Sequence, residues 1–389
     1  MSAGIPSLPP PVFVNDADGL NPNLILADMI AEFEAAANRT LYPAQVERLL
    51  INLYAYRESL VRNAIQYAAQ QNLLAFASFP MLDYLGQLLG VTRLASPPAV
   101  TTLQFTLASA LTVPFTIAAG TLAGTNDGQF AFATSATITI AAGATTASVA
   151  AAATTPGAAA NGYLAGQVNV QLNPNALIAS VSNTSTTTGG SAPETDDHLR
   201  ARIQAAPNQF SVAGPIGAYR FFAMGADPSI IDAQIVSPAP GSVNAYVLTG
   251  PITVQPAAAP NSAGVANSAL LAKVSAVLNA DTVRPLTDAV NALAVTEVDY
   301  QITATVTLYS DADPTTTIAA ATTAVQELAL ELAAQIKRDI VPSQIIAALS
   351  VAGVYGVTLM APVLTTLTAG QWANCTMISL TTAFSTEHS

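Results

Sequence analysis

After Pro43 the chain places an apolar residue every three or four positions: Val46, Leu49 and Leu50, Leu53, Tyr56, Leu60, Ala64 and Ile65, then Tyr67 and Ala68. Alternating steps of three and four hold side chains on one face of a helix, so the spacing predicts a helix over 44–77. About 34 residues at 1.5 Å each make it ~50 Å long. A helix beyond about 25 residues without an internal stop belongs as a rule to a bundle or coiled coil, where its apolar seam meets another helix. That other helix can lie in the same chain, at 24–38 or just after Pro80, or on another subunit. Spacing leaves both open.

The rest of the 389 residues is enough for two to four domains. Residues 1–22, with Pro6, Pro9, Pro10, Pro11 and Pro22, read as an extended arm that packs only on a partner. Asn23 is placed to cap the helix at 24–38, whose stripe is Leu26, Ile30, Phe33 and Ala37. Pro80 opens a short helix that Gly90 stops. From 100 to 183 Thr and Ser alternate with apolar residues, as in Thr102-Leu103-Gln104-Phe105-Thr106-Leu107, and glycines punctuate the run, which points to a β-sandwich or β-roll. A linker at 189–193 ends it, and Thr195 then caps a helix with Asp196 and Asp197 in its first turn. Beyond lie helices near 196–205, 215–225, 266–279 and 316–338, and strands near 231–236, 243–249, 296–309, 353–360 and 375–383. The expected fold is multidomain α+β: a Pro-rich arm (1–22), an N-terminal helical bundle segment (23–95), a central β-sandwich-like domain (96–190), and C-terminal mixed α/β domains (191–295 and 296–389).

Composition excludes several classes. Charged residues are 9% of the chain against roughly a quarter in soluble proteins. A surface dressed with Thr, Ser, Asn and Gln has little charge to repel neighbours, which favours life inside an assembly. Mean hydropathy is +0.44, yet no window supplies the ~20 consecutive apolar residues of a membrane span. The charge-free stretch 128–193 is broken throughout by Thr, Ser, Asn, Gly and Pro. Met1 to Pro6 holds no basic segment leading into an apolar core, so no signal peptide is read and cytoplasmic synthesis is expected. Net charge is −12, and the ten Arg and two Lys are scattered singly, which argues against nucleic-acid binding.

Catalytic and metal-binding readings fail on chemistry. Cys375 is the sole cysteine, so an intrachain disulfide or a cysteine zinc cluster is impossible, and it reads as a small buried apolar residue. Of two histidines, His388 is next to last and expected without fixed structure. His198 follows two aspartates on a helix surface and reads as solvated or capping, since a general base needs an orienting partner and a pocket. Asp16-Ala17-Asp18-Gly19 begins like a calcium loop but has Asn21 and Ala27 where Gly and Glu are required. Asp311-Ala312-Asp313-Pro314 has Thr322 at the Glu position and reads as a turn into a helix. No phosphate-cradling glycine motif is present. The expectation is no enzyme, no cofactor and no metal.

The N-terminal residues also carry a resemblance. The run Arg39-Thr40-Leu41-Tyr42-Pro43-Ala44-Gln45, with Glu47-Arg48-Leu49-Leu50-Ile51, Ala55-Tyr56-Arg57-Glu58-Ser59-Leu60 and Leu82-Asp83-Tyr84-Leu85-Gly86-Gln87-Leu88-Leu89-Gly90, resembles the baseplate protein J family of contractile-tailed phages. Asn38 stands where the family often has Gly. Later stretches follow in the family's order: Glu194-Thr195-Asp196-Asp197-His198-Leu199-Arg200, Gly214-Pro215-Ile216-Gly217-Ala218-Tyr219-Arg220, Val283-Arg284-Pro285-Leu286-Thr287-Asp288, Arg338-Asp339-Ile340-Val341-Pro342 and Gly353-Val354-Tyr355-Gly356-Val357. The departure is compositional, with Ala and Thr at many positions where charge would be ordinary.

This resemblance implies a baseplate wedge subunit in a virion tail or tail-like particle, assembled in the host bacterial cytoplasm. Two copies would join a smaller wedge tail protein through a helical bundle, and six wedges would close around the central hub and spike and meet a sheath-initiating baseplate protein. Its seam would be Val46, Leu49, Leu53, Tyr56, Leu60, Ala64 and Tyr67, flanked by Arg57, with the C-terminal half making ring contacts. The function implied is tail assembly and triggering of sheath contraction, with neither nucleic acid nor membrane insertion. The rival is a tail adhesin or carbohydrate-binding module, motivated by the Thr-rich region 100–183. Sugar sites present exposed aromatic faces, whereas Phe105, Phe115, Phe130, Phe132 and Tyr163 read as core.

Overall fold

The computed structural model describes residues 9–14, 20–211, 214–250 and 264–388. The chain divides into two compact units: 3–93 together with Leu199–Gln204, and 94–198 together with 205–389.

The N-terminal unit is built on α1 (Pro22–Ala37), α2 (Val46–Gln70) and α3 (Met81–Gln87). The cap of α1 is Asn21 and not Asn23: its side chain accepts from Asn23 N at 3.0 Å while Pro22 takes the first helical position, where a missing N–H costs nothing. Helix α2 stops at Gln70, short of 77, because the buried Gln71 side chain takes over the chain beyond it. Gln71 Oε1 accepts from Ser78 N at 2.9 Å, and Nε2 donates to Phe76 O at 3.3 Å, so a side chain closes the turn in place of further helical bonds. Arg200 then satisfies two carbonyls of that turn, Leu74 O and Ala77 O, each at 2.8 Å. Arg93 grips Asp83 of α3 with both ends of its guanidinium, at 3.0 and 2.7 Å. Gly86 is required by close approach: an added Cβ would stand 2.8 Å from Val91 O. Part of the Pro-rich arm is held within the chain and not left for a partner. Gln66 of α2 accepts from Phe13 N at 2.7 Å and donates to Pro11 O at 2.6 Å. The remainder of the arm, at 1–8 and 15–19, lies outside the described residues, and with it Asp16-Ala17-Asp18-Gly19.

The second unit opens with eight strands: β1 (Val100–Leu107), β2 (Phe115–Ile117), β3 (Leu122–Thr125), β4 (Ala131–Thr134), β5 (Ile138–Ile140), β6 (Thr146–Ala153), β7 (Val168–Gln171) and β8 (Ile178–Asn183). Six of them form one antiparallel sheet in the order β7-β3-β4-β6-β1-β8, and β2 pairs with β5. The outer strands meet: Gln171 Nε2 of β7 donates to Ile178 O of β8 at 3.0 Å, and Asn183 Oδ1 accepts from Val168 N at 2.8 Å. Where the sequence reads as sandwich-like, the chain makes a barrel-like sheet whose two outer strands are bridged by these side chains. Alternation along β1 sends Leu103, Phe105 and Leu107 inward against Phe132, Ile140, Val168 and Val181. The Ala-rich tract supplies β6, between β1 and β4.

Next come α4 (Asp196–Ala205), whose Leu199–Gln204 belong to the N-terminal unit, then α5 (Ile216–Met224), β9 (Ile230–Ala239), β10 (Ser242–Thr249), α6 (Ser268–Leu278) and β11 (Ala289–Ala294). The hairpin β9–β10 is antiparallel, and β11 joins β10 in parallel after the α6 crossover. The last domain holds β12 (Thr296–Leu308), α7 (Pro314–Ala333), α8 (Pro342–Leu349), β13 (Val354–Ala361) and β14 (Gln371–Phe384), with sheet order β13-β12-β14. Asp313 caps α7, accepting from Thr315 N and Thr316 N at 3.2 and 3.3 Å.

These last two domains share a junction. Asp232 of β9 accepts from Ile336 N at 2.9 Å and Gln234 accepts from Gly370 N at 2.8 Å. Trp372 is fully buried beside Leu248, Val295, Ala333 and Ile336, and its indole N–H donates to Ala333 O at 2.7 Å. A Cβ at Gly264 would run into the Trp372 ring. Trp372→Ala is therefore expected to destabilise this region by about 3–5 kcal/mol, read by circular dichroism in denaturant. An unchanged unfolding midpoint would contradict the shared core.

Candidate assembly surface

Helix α2 is amphipathic in a sense that its own unit does not use. Its buried residues are Ala55, Ser59 and Gln66, and the half-buried Arg48, Ile51, Glu58 and Arg62 lie on the same side. Val46, Leu49, Leu53, Tyr56, Leu60 and Tyr67 stand 48–69% exposed, and Arg57 and Ala64 are exposed with them. All eight residues read as a seam from the sequence thus lie on α2 and open to solvent. Burying a large apolar side chain gains about 1.5–3 kcal/mol, so six of them in water leave on the order of 10 kcal/mol unrealised.

The exposed surface extends further than the seam. Tyr54 and Val61 of α2, with Ile51 and with Met29 and Phe33 of α1, line a groove of about 590 Å³ rimmed by Arg57 and Glu58. Their three- and seven-residue steps lie one position off the seam, and were hidden by it. Glu58 accepts from Arg62 Nε at 2.8 Å. At the start of α2, hydrogen bonding to its own helix N-terminus and to Arg39 holds the Glu47 carboxyl below its ordinary value, as favoured there by the helix dipole.

The chemically capable side chains are engaged in structure. His198 is neither solvated nor a surface residue: Nδ1 lies 2.5 Å from Glu194 Oε1 and Nε2 lies 2.7 Å from Ile230 O. Glu194 is buried and its other oxygen accepts from Leu94 N at 2.7 Å. His388 has a fixed place, 2.9 Å from Ser310 Oγ. Cys375 is buried, which pushes its thiol up to about 11 and removes its nucleophilic form at neutral pH. In the barrel Phe105 and Phe132 are buried, while Phe115 and the edge-to-face pair Phe130–Tyr163 are half-buried. None of these five gives the open aromatic face of a sugar platform.

A multidomain chain with a long apolar strip facing outward on one helix, and chemically capable side chains engaged in structure, is of the assembly-subunit class. Comparison with known proteins narrows this. Residues 47–99 match the Baseplate J-like N-terminal domain, 102–190 the Baseplate J-like barrel domain, 211–294 the Baseplate J-like central domain and 300–381 the Baseplate J-like C-terminal domain. The chain belongs to the baseplate J-like family. It is 38% identical over 197 residues to Baseplate protein J of Escherichia phage P2, a match spanning 50% of this chain and 61% of that protein. The cryo-EM structure of the anti-feeding prophage baseplate aligns over 92% of this chain and 90% of its own, at 16% identity and a TM-score of 0.40, a likeness too loose to carry an argument.

Two outcomes are expected of this surface. Leu53→Gln with Leu60→Gln, which keep helix propensity, shift stability by no more than about 0.5 kcal/mol, whereas Ala55→Leu overpacks the inner face and costs about 1–3 kcal/mol. Chemical denaturation of the isolated chain distinguishes them. Arg93's hydrogen bond holds the Asp83 carboxyl below its unfolded value of 3.8. A carboxyl depressed in the folded state contributes its stability above the unfolded value, and loses it as pH falls through the lower folded value. Asp83→Asn should then lower Tm at pH 7 and converge on wild type in strong acid. A constant difference across the range would refute the linkage.

Proposed function

We propose that this chain is a structural, non-enzymatic wedge subunit of the baseplate of a contractile tail or tail-like injection particle. The observation that carries the reading is the outward apolar face of α2, which needs helices of other subunits to bury it. In this reading two copies and a smaller wedge tail protein bundle along Val46, Leu49, Leu53, Tyr56, Leu60, Ala64 and Tyr67. Arg57 and the Glu58–Arg62 pair on the flank select the partner, since an exposed i,i+4 pair itself is worth only ~0.3–0.5 kcal/mol. The two C-terminal domains reach neighbouring wedges around a six-fold ring that closes around the central hub and spike and meets the sheath-initiating protein. Triggering contraction then requires interfaces with two competing arrangements biased by receptor engagement.

Deleting the reading frame from the genome that carries it, and complementing in trans, tests this by negative-stain electron microscopy. Wild type should restore complete contractile tails. Leu49→Gln, Leu53→Gln, Tyr56→Gln and Leu60→Gln together should leave free heads or stray sheath polymer. Intact tails that merely fail to adsorb would point to the adhesin instead.

A further inference from the structure

The segments entering and leaving the barrel run side by side as a doubled stalk. Leu94 O accepts from Glu194 N and Pro97 O from Ser191 N, each at 3.3 Å, and Ser96 Oγ donates to Ser191 O at 2.5 Å. His198, in the first turn of α4, carries this stalk to the next domain: its Nε2 lies 2.7 Å from Ile230 O at the start of β9. Its Nδ1 lies 2.5 Å from Glu194 Oε1, while Glu194 Oε2 accepts from Leu94 N at 2.7 Å. The His198 side chain is 11% exposed and that of Glu194 0%.

Both oxygens that face the ring are acceptors, one a carbonyl and one a carboxylate oxygen. A neutral imidazole has a single N–H and can serve only one of them. The other contact would then set two lone pairs face to face. Holding both contacts therefore takes one proton more than a neutral imidazole and a carboxylate carry between them. Loss of that proton to solvent would leave the buried Glu194 charge opposite a ring that no longer compensates it, the arrangement a buried pair tolerates least. The other charged groups on the elements meeting here are Asp196, Asp197, Arg200 and Arg202 of α4, Arg93 before Leu94, and Asp227 and Asp232 on either side of Ile230. Arg93 is paired with Asp83, Asp227 with Lys273 and Asp232 with Arg220.

We propose that His198 and Glu194 form a proton-dependent latch between the stalk of the barrel and β9, closed while their shared proton is bound and weakened when it passes to solvent. The latch lies within one chain and does not depend on the subunit reading above.

Urea unfolding of the full chain, followed by circular dichroism from about pH 6 to about pH 9, tests it against Glu194→Gln. The glutamine amide can accept from Leu94 N through its oxygen and donate to Nδ1 through its nitrogen, so a neutral ring satisfies every contact without the extra proton. In wild type the unfolded histidine gives up its proton at about 6.5 while the folded pair keeps one. Above that value unfolding releases a proton, and stability falls as pH rises. The unfolding constant of wild type should grow by up to about tenfold per pH unit relative to Glu194→Gln. Parallel curves for the two chains overturn the proposal. Histidine 15N spectra make the test without a variant, because the exposed His388 is the only other histidine and serves as the reference. His198 should release its proton at higher pH than His388, and release of both together overturns the latch.

Discussion

The hydrogen bonds of Gln66 decide which way α2 faces. Its amide is buried, and it both accepts from Phe13 N and donates to Pro11 O. Turning the helix by one residue would strand that amide and drive Tyr56 and Leu60 into space sized for Ala55 and Ser59. An unmade bond at a buried polar group costs about 1–3 kcal/mol, and overpacking costs a similar amount. The small and polar side is therefore locked inward, and among the described residues the leucines and tyrosines face solvent.

In the second unit the same economy works in the other direction. The barrel-like sheet meets itself at Gln171 and Asn183, whose side chains bridge the two outer strands within the chain. The two following domains are pinned by Asp232, Gln234 and Trp372, polar and aromatic groups that join a strand of one domain to backbone of the other. Such junctions tie the two domains together through buried polar and aromatic contacts.

Much of this was legible in the sequence, and the misses have identifiable causes. The α2 period announced both the helix and its apolar face, because apolar spacing is insensitive to what lies opposite. Its end was not legible: nothing local says that Gln71 will prefer Ser78 and Phe76 to continuing the helix. Asn21 rather than Asn23 became the cap because Pro22 fits the first turn. Alternation in 100–183 fixed which face is buried but not whether it covers another sheet or the far side of its own. Strand β11, Ala-Val-Asn-Ala-Leu-Ala, lacks the β-branched content of a recognisable strand, and α8 is eight residues long, too short for its period to speak. His198 looked solvated because its partners, Glu194 and Ile230 O, are a turn upstream and thirty-two positions downstream. The Tyr54–Val61 groove needed α1 to be in place before it existed.

The central claim, that the outer face of α2 is covered only in the assembled particle, can be measured with one thiol. Cys375 is the sole cysteine and is buried, so a chain carrying Leu53→Cys has a single reactive position. Maleimide labelling of that position should be fast in the isolated chain and strongly suppressed in purified complete tails, while a control at the exposed Gln129, Gln129→Cys, labels in the isolated chain as a measure of open surface. Equal labelling of position 53 in free chain and assembled tail would mean that the face stays in water, and the assembly account would fail.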